Sequence, residues 1–349
     1  MTEKIMKVCM KVSAICFCML LLQHVNAQYN FSTLNSKLAQ YQKQLGGNVV
    51  ALIYKDGKLV YQHELGDFKV NTQAPIASCS KWLTSALVMT FVDEGKLSLD
   101  DKVSKYIPEF TSYGKGYITI RNCLSHTTGI EDDKVSIASI MKLNRYHSLE
   151  EEVNDFMSKH EIFAQPGQQF AYGTVGLNIA GRVLEIISKK PFDQLMMQRI
   201  FRPMEMKFST FYSEKATNPS GGAQSTAADY MHFLIMILNK GMYKDKTILS
   251  EQSIAEMQKI QTTQATIKYS PEIAEGFSYG LGEWVLQTDA SGNSTVVACP
   301  GLFGTWPLVD NCRGYACIFF VKTLLREDRK DIYTDLKQTI DAEITGDCK

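Results

Sequence analysis

The chain carries almost none of the signals that sort a sequence at first sight. Its 37 basic residues are matched by 37 acidic ones, so no long-range field selects nucleic acid or an anionic membrane surface as a partner. It has no acidic or basic tail, no low-complexity tract and no internal repeat. Paired C-x-x-C spacings and neighbouring histidine pairs are missing, so no metal site is expected. Phosphate loops and dinucleotide fingerprints are missing too, so no cofactor is expected. There is no G-x-S-x-G, which removes the strand–turn–helix nucleophile elbow. Beyond residue 27 no apolar stretch approaches the ~20 residues a spanning helix needs, so no stable membrane anchor is expected.

What is present is an ordinary globular balance, 349 residues with 45% hydrophobic and 21% charged. Residues 1–27 read as a cleaved signal peptide. Lys4, Lys7 and Lys11 form a basic n-region, Val12 to Leu22 an apolar core too short to span, and Val25-Asn26-Ala27 a small-residue cleavage site. No cysteine sits immediately after that point, so a lipoprotein anchor is not expected. The mature chain, 28–349, is expected to be periplasmic or secreted. Six cysteines remain after the leader: Cys79, Cys123, Cys299, Cys312, Cys317 and Cys348. An oxidising compartment permits disulfides, the pairing stays open, and most are expected to be small buried hydrophobes.

Hydrophobic patterning divides the chain into strands at both ends and helices between. Asn48–Tyr54 and Lys58–His63 flank Asp56-Gly57, a β-hairpin signal. Ser80–Gly95 has helical spacing and closes on a glycine. Residues 96–270 are mostly helical in pattern, most clearly at Leu177–Ser188 and Ala227–Lys240. Strand signals return at Gly280–Gln287, Ser294–Ala298, Thr305–Val309 and Tyr315–Lys322, and Asp331–Ile344 ends the chain as a helix. The expectation is an α+β fold, one sheet built from both termini and interrupted by a large helical insertion. The sheet lobe would take 28–95 and 275–349 and the helical lobe 96–274, with a cleft between them as the site.

Ser78-Cys79-Ser80-Lys81 opens the first long helix. Residues i and i+3 share a helix face, so the serine hydroxyl and the lysine amine can meet. A serine becomes nucleophilic when a base takes its proton, and a lysine serves as that base once burial lowers its pKa. The pattern is common by itself: 25 Ser and 29 Lys in this length give about two S-x-x-K matches by chance. Ser112…Lys115 and Ser139…Lys142 also match.

Context separates Ser78 from the other two. Downstream come, in order, Leu124-Ser125-His126-Thr127-Thr128-Gly129, Pro166-Gly167-Gln168-Gln169-Phe170-Ala171-Tyr172, and Phe201-Arg202-Pro203-Met204-Glu205-Met206. Gly221-Gly222 with Ser225-Thr226-Ala227-Ala228-Asp229, Tyr279-Gly280-Leu281-Gly282, and Gly301-Leu302-Phe303-Gly304-Thr305 complete the series. With Ser78–Lys81 in front, this ordered set resembles the serine β-lactamase and penicillin-binding-protein superfamily, in particular its class C-like branch of esterases and D-amino-acid peptidases. The resemblance spans about Asn48 to Val321 and implies the β-lactamase/transpeptidase-like fold, with an antiparallel sheet flanked by helices.

The resemblance implies catalytic roles for Ser78, Lys81 and Tyr172. Tyr172 stands at the tyrosine of the Tyr-x-Asn motif, where a phenolate can act as base on the serine and then as acid on the leaving group. Thr174 replaces the asparagine; its hydroxyl can still hydrogen-bond Lys81, but it lacks the amide that both donates and accepts toward a substrate amide. The Lys-Thr-Gly or His-x-Gly motif is Cys299-Pro300-Gly301 here, which lacks the cation that binds a substrate carboxylate. Thr174, Cys299 and Gly301 are the expected substrate-binding positions. The backbone N–H groups of Ser78 and Leu302 are the expected oxyanion hole. His126 is expected to shape a turn, and Trp284 and Trp306 to line the cleft or pack the core.

The resulting expectation is an exported serine hydrolase that acts through an acyl-enzyme on ester or amide substrates, small molecules or peptides. The alternatives are a β-lactamase or D-alanyl-D-alanine carboxypeptidase, and a non-catalytic binding or sensor protein on the same fold. Oligomeric state is left open.

Overall fold

The computed structural model describes residues 29–132, 146–323, 329–346 and 348. The leader and the Ser139…Lys142 match lie outside them. Phe31–Lys349 forms one compact unit.

Seven strands make one antiparallel sheet: β1 (Val49–Lys55), β2 (Lys58–Leu65), β3 (Ser278–Tyr279), β4 (Trp284–Thr288), β5 (Ser294–Ala298), β6 (Trp306–Asp310) and β7 (Tyr315–Val321), in the order β2-β1-β7-β6-β5-β4-β3. The β1–β2 hairpin turns at Asp56 and Gly57, both at positive φ (51° and 79°), the requirement of a two-residue turn matched to strand twist. The two ends of the chain meet where β1 pairs with β7, in a register running from Val49↔Val321 to Lys55↔Tyr315. β7 is buried along its whole length, as suits a central strand covered on both faces. The fold is therefore α+β, with one antiparallel sheet built from both ends of the chain and helices between, as expected.

Seven helices of eight or more residues lie among the described residues: α1 (Ser32–Tyr41), α2 (Cys79–Asp93), α3 (Leu149–Lys159), α4 (Val175–Ser188), α5 (Ala227–Leu238), α6 (Glu251–Gln258) and α7 (Lys330–Glu343). α1 and α7 are tied by Lys37 and Tyr41, both bonded to Asp335 (2.5 and 3.0 Å), and α5 packs against β1, β6 and β7. α2 is buried all round, from Cys79 through Phe91. A helix apolar on every side belongs at the centre of a core, and the insertion packs about it.

One expected strand boundary moved. The expected strand at Gly280–Gln287 begins at Trp284, because Gly280–Glu283 is a turn in which Gly280 N–H donates to the Glu283 carbonyl (2.9 Å) and Gly282 takes φ 82°. Short strand pairs of two or three residues are also present, Ala74–Pro75 with Gln224–Ser225 from the insertion, and Phe170–Ala171 beside Ile267–Tyr269 within it. These are too short for any periodicity to announce. Among the described residues no helix is long and apolar enough to cross a membrane.

Of the six cysteines outside the leader, Cys312 and Cys348 form a disulfide, while Cys79, Cys123, Cys299 and Cys317 are free and buried.

Candidate active site

Ser78 stands at the N-cap of α2 and is 6% exposed. Ala77 in front of it sits at φ 45°, a left-handed conformation that costs a non-glycine residue about 1–3 kcal/mol. That reversal turns the extended Ala74–Pro75 pair straight into the helix. The first turn closes through Cys79 N–H to Ile76 O (3.2 Å), Ser80 N–H to Ala77 O (2.9 Å) and Lys81 N–H to Ser78 O (2.9 Å).

Lys81 lies one turn on with its amine 3.2 Å from Ser78 Oγ. It is 1% exposed, and burial pulls its pKa down to about 8 against the opposing influence of Cys299, Asp132 and Cys79. The amine also donates to the Ser220 carbonyl (2.8 Å). That carbonyl is held rigidly. Thr84 donates to Pro219 O (2.7 Å), Ser220 N–H donates to Asn178 Oδ1 (2.9 Å), and Ala223 N–H donates to Ser80 Oγ (3.0 Å). Sequence reading singled out Gly221-Gly222 but not Ser220, whose contribution is a backbone atom and leaves no side-chain signature.

The competing Ser112…Lys115 match has no such geometry. Lys115 is a buried structural lysine that donates to the Met157 carbonyl (2.6 Å).

Tyr172 is 4% exposed, its ring 4.9 Å from Lys81 Nζ. Its backbone N–H donates to Tyr269 O (3.0 Å), so the short Phe170–Ala171 strand aims it, and the Ser78 side chain is near enough to oppose part of the burial effect on its hydroxyl. Trp284 (5.2 Å between ring centroids), His126 (4.7 Å) and Tyr279 (6.0 Å) wall the ring in. Burial pushes Tyr172 well above an ordinary phenol. Burial thus moves the two groups in opposite directions, Lys81 toward its neutral amine and Tyr172 toward its neutral phenol. Trp284 packs on Tyr172, while Trp306 is stacked on Tyr333 (4.4 Å).

His126 occupies a turn at φ 55°, with Nε2 3.2 Å from the Tyr279 hydroxyl. Burial and the nearby Lys81 charge drive it well below an ordinary imidazole, so it is neutral and serves the aromatic wall.

The altered motifs need two corrections. Thr174 does not bond Lys81. Its hydroxyl and backbone N–H both donate to Asp132 (hydroxyl to Oδ2 3.1 Å), since α4 begins at Val175 and its first N–H groups require an acceptor. Cys299 cannot be a substrate-binding side chain. It is 0% exposed and lies behind the nucleophile, its thiol donating to Ser78 O (3.2 Å) and Gly282 O (3.4 Å). Burial raises that thiol to about 12, so it supplies neither a cation nor a thiolate.

Gly301 is a packing position. A Cβ there would stand 2.2 Å from the Ile76 carbonyl oxygen and 3.1 Å from Cys79 Sγ. Gly301 N–H donates to Thr305 O (2.9 Å) and Gly304 N–H to Gly301 O (2.8 Å), with Gly304 at φ 89°. The tight loop this makes presents Leu302. Among the described residues neither the Ser78 nor the Leu302 N–H donates to a backbone carbonyl.

One group of side chains among the described residues could converge on a metal, Asp310, Cys312 and Cys348. Its two sulfurs are already joined to each other.

The structure thus brings together a helix-start serine, a buried lysine 3.2 Å from its Oγ, and a tyrosine ring 4.9 Å from that lysine. The family model described as Beta-lactamase matches residues 34–339, and the chain belongs to that family. It is a serine hydrolase. Among curated proteins it is 24% identical over 287 residues to the D-alanyl-D-alanine-carboxypeptidase/endopeptidase AmpH of Escherichia coli K12, covering 73% of this chain and 74% of that one. Among solved structures it matches a β-lactamase-like protein of Bacteroides dorei DSM 17855 at 27% identity and TM-score 0.81, over 90% of this chain and 99% of that one. It also shares its fold with EstCE1, a hydrolase with promiscuous acyltransferase activity, at 18% identity and TM-score 0.73, over 88% and 98%.

Proposed function

We propose that this chain is an exported hydrolase that works through a Ser78 acyl-enzyme on esters or amides with no carboxylate next to the scissile bond. The observation that carries this reading is a Ser78–Lys81–Tyr172 triangle whose third motif offers a buried neutral thiol, Cys299, where a cation would hold a carboxylate. Unprotonated Lys81 takes the Ser78 proton as Oγ bonds to the carbonyl carbon. The oxyanion that forms is met by the N–H groups of Ser78 and Leu302. As the tetrahedral intermediate collapses, the leaving alkoxide or amine departs with a proton passed back through Lys81 and the Tyr172 hydroxyl. Water, deprotonated by the same amine, then attacks the ester and restores the Ser78 hydroxyl. The basic leader and the Cys312–Cys348 disulfide support export, because such a bond persists in an oxidising compartment.

The resemblance to AmpH favours a second reading, cleavage of D-amino-acid peptides. Intact-mass analysis decides between them. Incubation with a fluorophosphonate is expected to add one phosphonyl group to the mature chain, as Ser78 Oγ bonds to phosphorus and fluoride leaves, and none to Ser78→Ala. A penicillin is expected to add none, and saturable penicillin labelling at Ser78 would favour the second reading. A wild type inert to all probes and to activated esters would leave a binding protein on this fold.

A further inference from the structure

The second motif is held by a residue far upstream of it. Helix α4 begins with Thr174 at its N-cap, and the Thr174 side chain makes no capping bond to its own helix. The four leading N–H groups of a helix need acceptors from elsewhere. Asp132, 42 residues earlier, supplies them. One carboxylate oxygen accepts from both Thr174 N–H and Val175 N–H (the latter 3.0 Å), and the Thr174 hydroxyl donates to the same group. The approach is so close that a Cβ at Gly173 would stand 2.1 Å from Asp132 Oδ2. Gly173, the middle residue of the motif, is thus needed for Asp132 to reach the helix end.

We propose that Asp132 is the positioning residue of the second motif, fixing Tyr172 through the start of α4 and holding a negative charge toward Lys81 in the place of the missing motif asparagine. The proposal rests on the acyl-enzyme reading above. Its geometric part stands on the contacts just given. Its electrostatic part follows from the groups around Lys81: Cys79 on its own helix, Tyr172 and His126 from the aromatic wall, Cys299 behind Ser78, and Asp132. Asp132 is bonded to Thr174, two residues beyond the Tyr172 whose ring lies 4.9 Å from Lys81 Nζ. The thiols, the phenol and the imidazole are held neutral by burial. Asp132 is the group in that set whose anionic form is favoured by donors, two backbone N–H groups and a hydroxyl, although burial lifts it above the usual carboxylate range. His160 faces Asp132 from the end of α3 and also favours the anion. A carboxylate near an ammonium stabilises the protonated amine. Without that charge, the buried lysine would lose its proton at a lower pH.

Two variants separate the roles. Asp132→Asn keeps an oxygen acceptor for the helix N–H groups and removes the charge; Asp132→Ala removes both. The pKa of Lys81 is read directly by carbon NMR of protein labelled at lysine Cε, assigned with Lys81→Met, and this requires no substrate. The wild-type inflection is expected near 8 and that of Asp132→Asn about half a pH unit or more lower. In ester hydrolysis the acidic limb of kcat/KM should move down with it. Asp132→Ala is expected to lose about tenfold or more in kcat with KM within about twofold, the pattern of a displaced catalytic group and not of lost binding. An unmoved Lys81 titration in Asp132→Asn overturns the electrostatic role. Wild-type kcat in Asp132→Ala overturns the positioning role, whatever happens to its melting temperature. Should Asp132→Ala fail to fold, Thr174→Val, which removes one of the three bonds, takes its place. Equal inactivity of wild type and Ser78→Ala would instead sink the hydrolase reading, with the NMR titration still deciding the charge coupling.

Discussion

The acid limb of the pH–rate profile is the most direct reading of this site. Lys81 is buried to 1% and drawn down to about 8, against about 10.4 for a solvated lysine. The difference is about 3 kcal/mol, which the folded chain spends to keep an amine dry beside Ser78. If the neutral amine is the base, kcat/KM follows its fraction. About a tenth is neutral at pH 7 and about nine tenths at pH 9, so the ratio should rise about tenfold between them and level off. The assay is steady-state hydrolysis of a p-nitrophenyl ester from pH 5.5 to 10, with background hydrolysis subtracted and Ser78→Ala as the blank. An inflection at 10 or above would mean that Lys81 is solvated and that this account of the base is wrong. A flat profile from 6 to 9 would move the base to another group.

The same desolvation has a stability consequence. Between its folded value of about 8 and its unfolded value, Lys81 binds more proton in the unfolded chain, so wild-type stability should rise with pH through that window. Lys81→Met should therefore abolish turnover yet melt higher than wild type at pH 7, by up to about 3 kcal/mol, with the gap narrowing toward pH 10.5 in calorimetry. Glu283 is the opposite case. Its carboxyl is 0% exposed and burial raises it well above the ordinary range, so the folded chain holds its proton while the unfolded chain releases it. Stability should fall as pH climbs above the unfolded value, and Glu283→Gln should melt higher than wild type at pH 7 but equal to it at pH 4. Gly301→Ala would press a methyl against the Ile76 carbonyl oxygen and displace Leu302. It should lower kcat about a hundredfold, the scale of one lost oxyanion donor, with phosphonylation of Ser78 by a fluorophosphonate slowed in parallel.

Much of this molecule could be read along the chain. Strand Ser294–Ala298 falls where alternation placed it, and α5 starts at the expected Ala227. The Asp56-Gly57 hairpin is dictated locally, since both turn residues need positive φ. The Ser78–Lys81 contact follows from i,i+3 geometry once α2 exists. These features were legible because each depends on residues within one or two turns of one another, where steric and hydrogen-bonding rules act without the rest of the fold.

What the sequence determined by itself was therefore the set of elements, the order of the motifs, and the nucleophile beside its lysine. Tertiary structure decided everything that joins distant segments. It selected Ser78–Lys81 over Ser112…Lys115 by bringing Ser220 and Tyr172 to one lysine and leaving the other on Met157. It turned Thr174 toward Asp132, 42 residues away, and drew Cys299 behind Ser78, two positions that the family resemblance implied would face the substrate. The physical reason is range. Burial, and with it the pKa of Lys81 and the neutrality of Cys299, comes from neighbours that only the folded chain assembles.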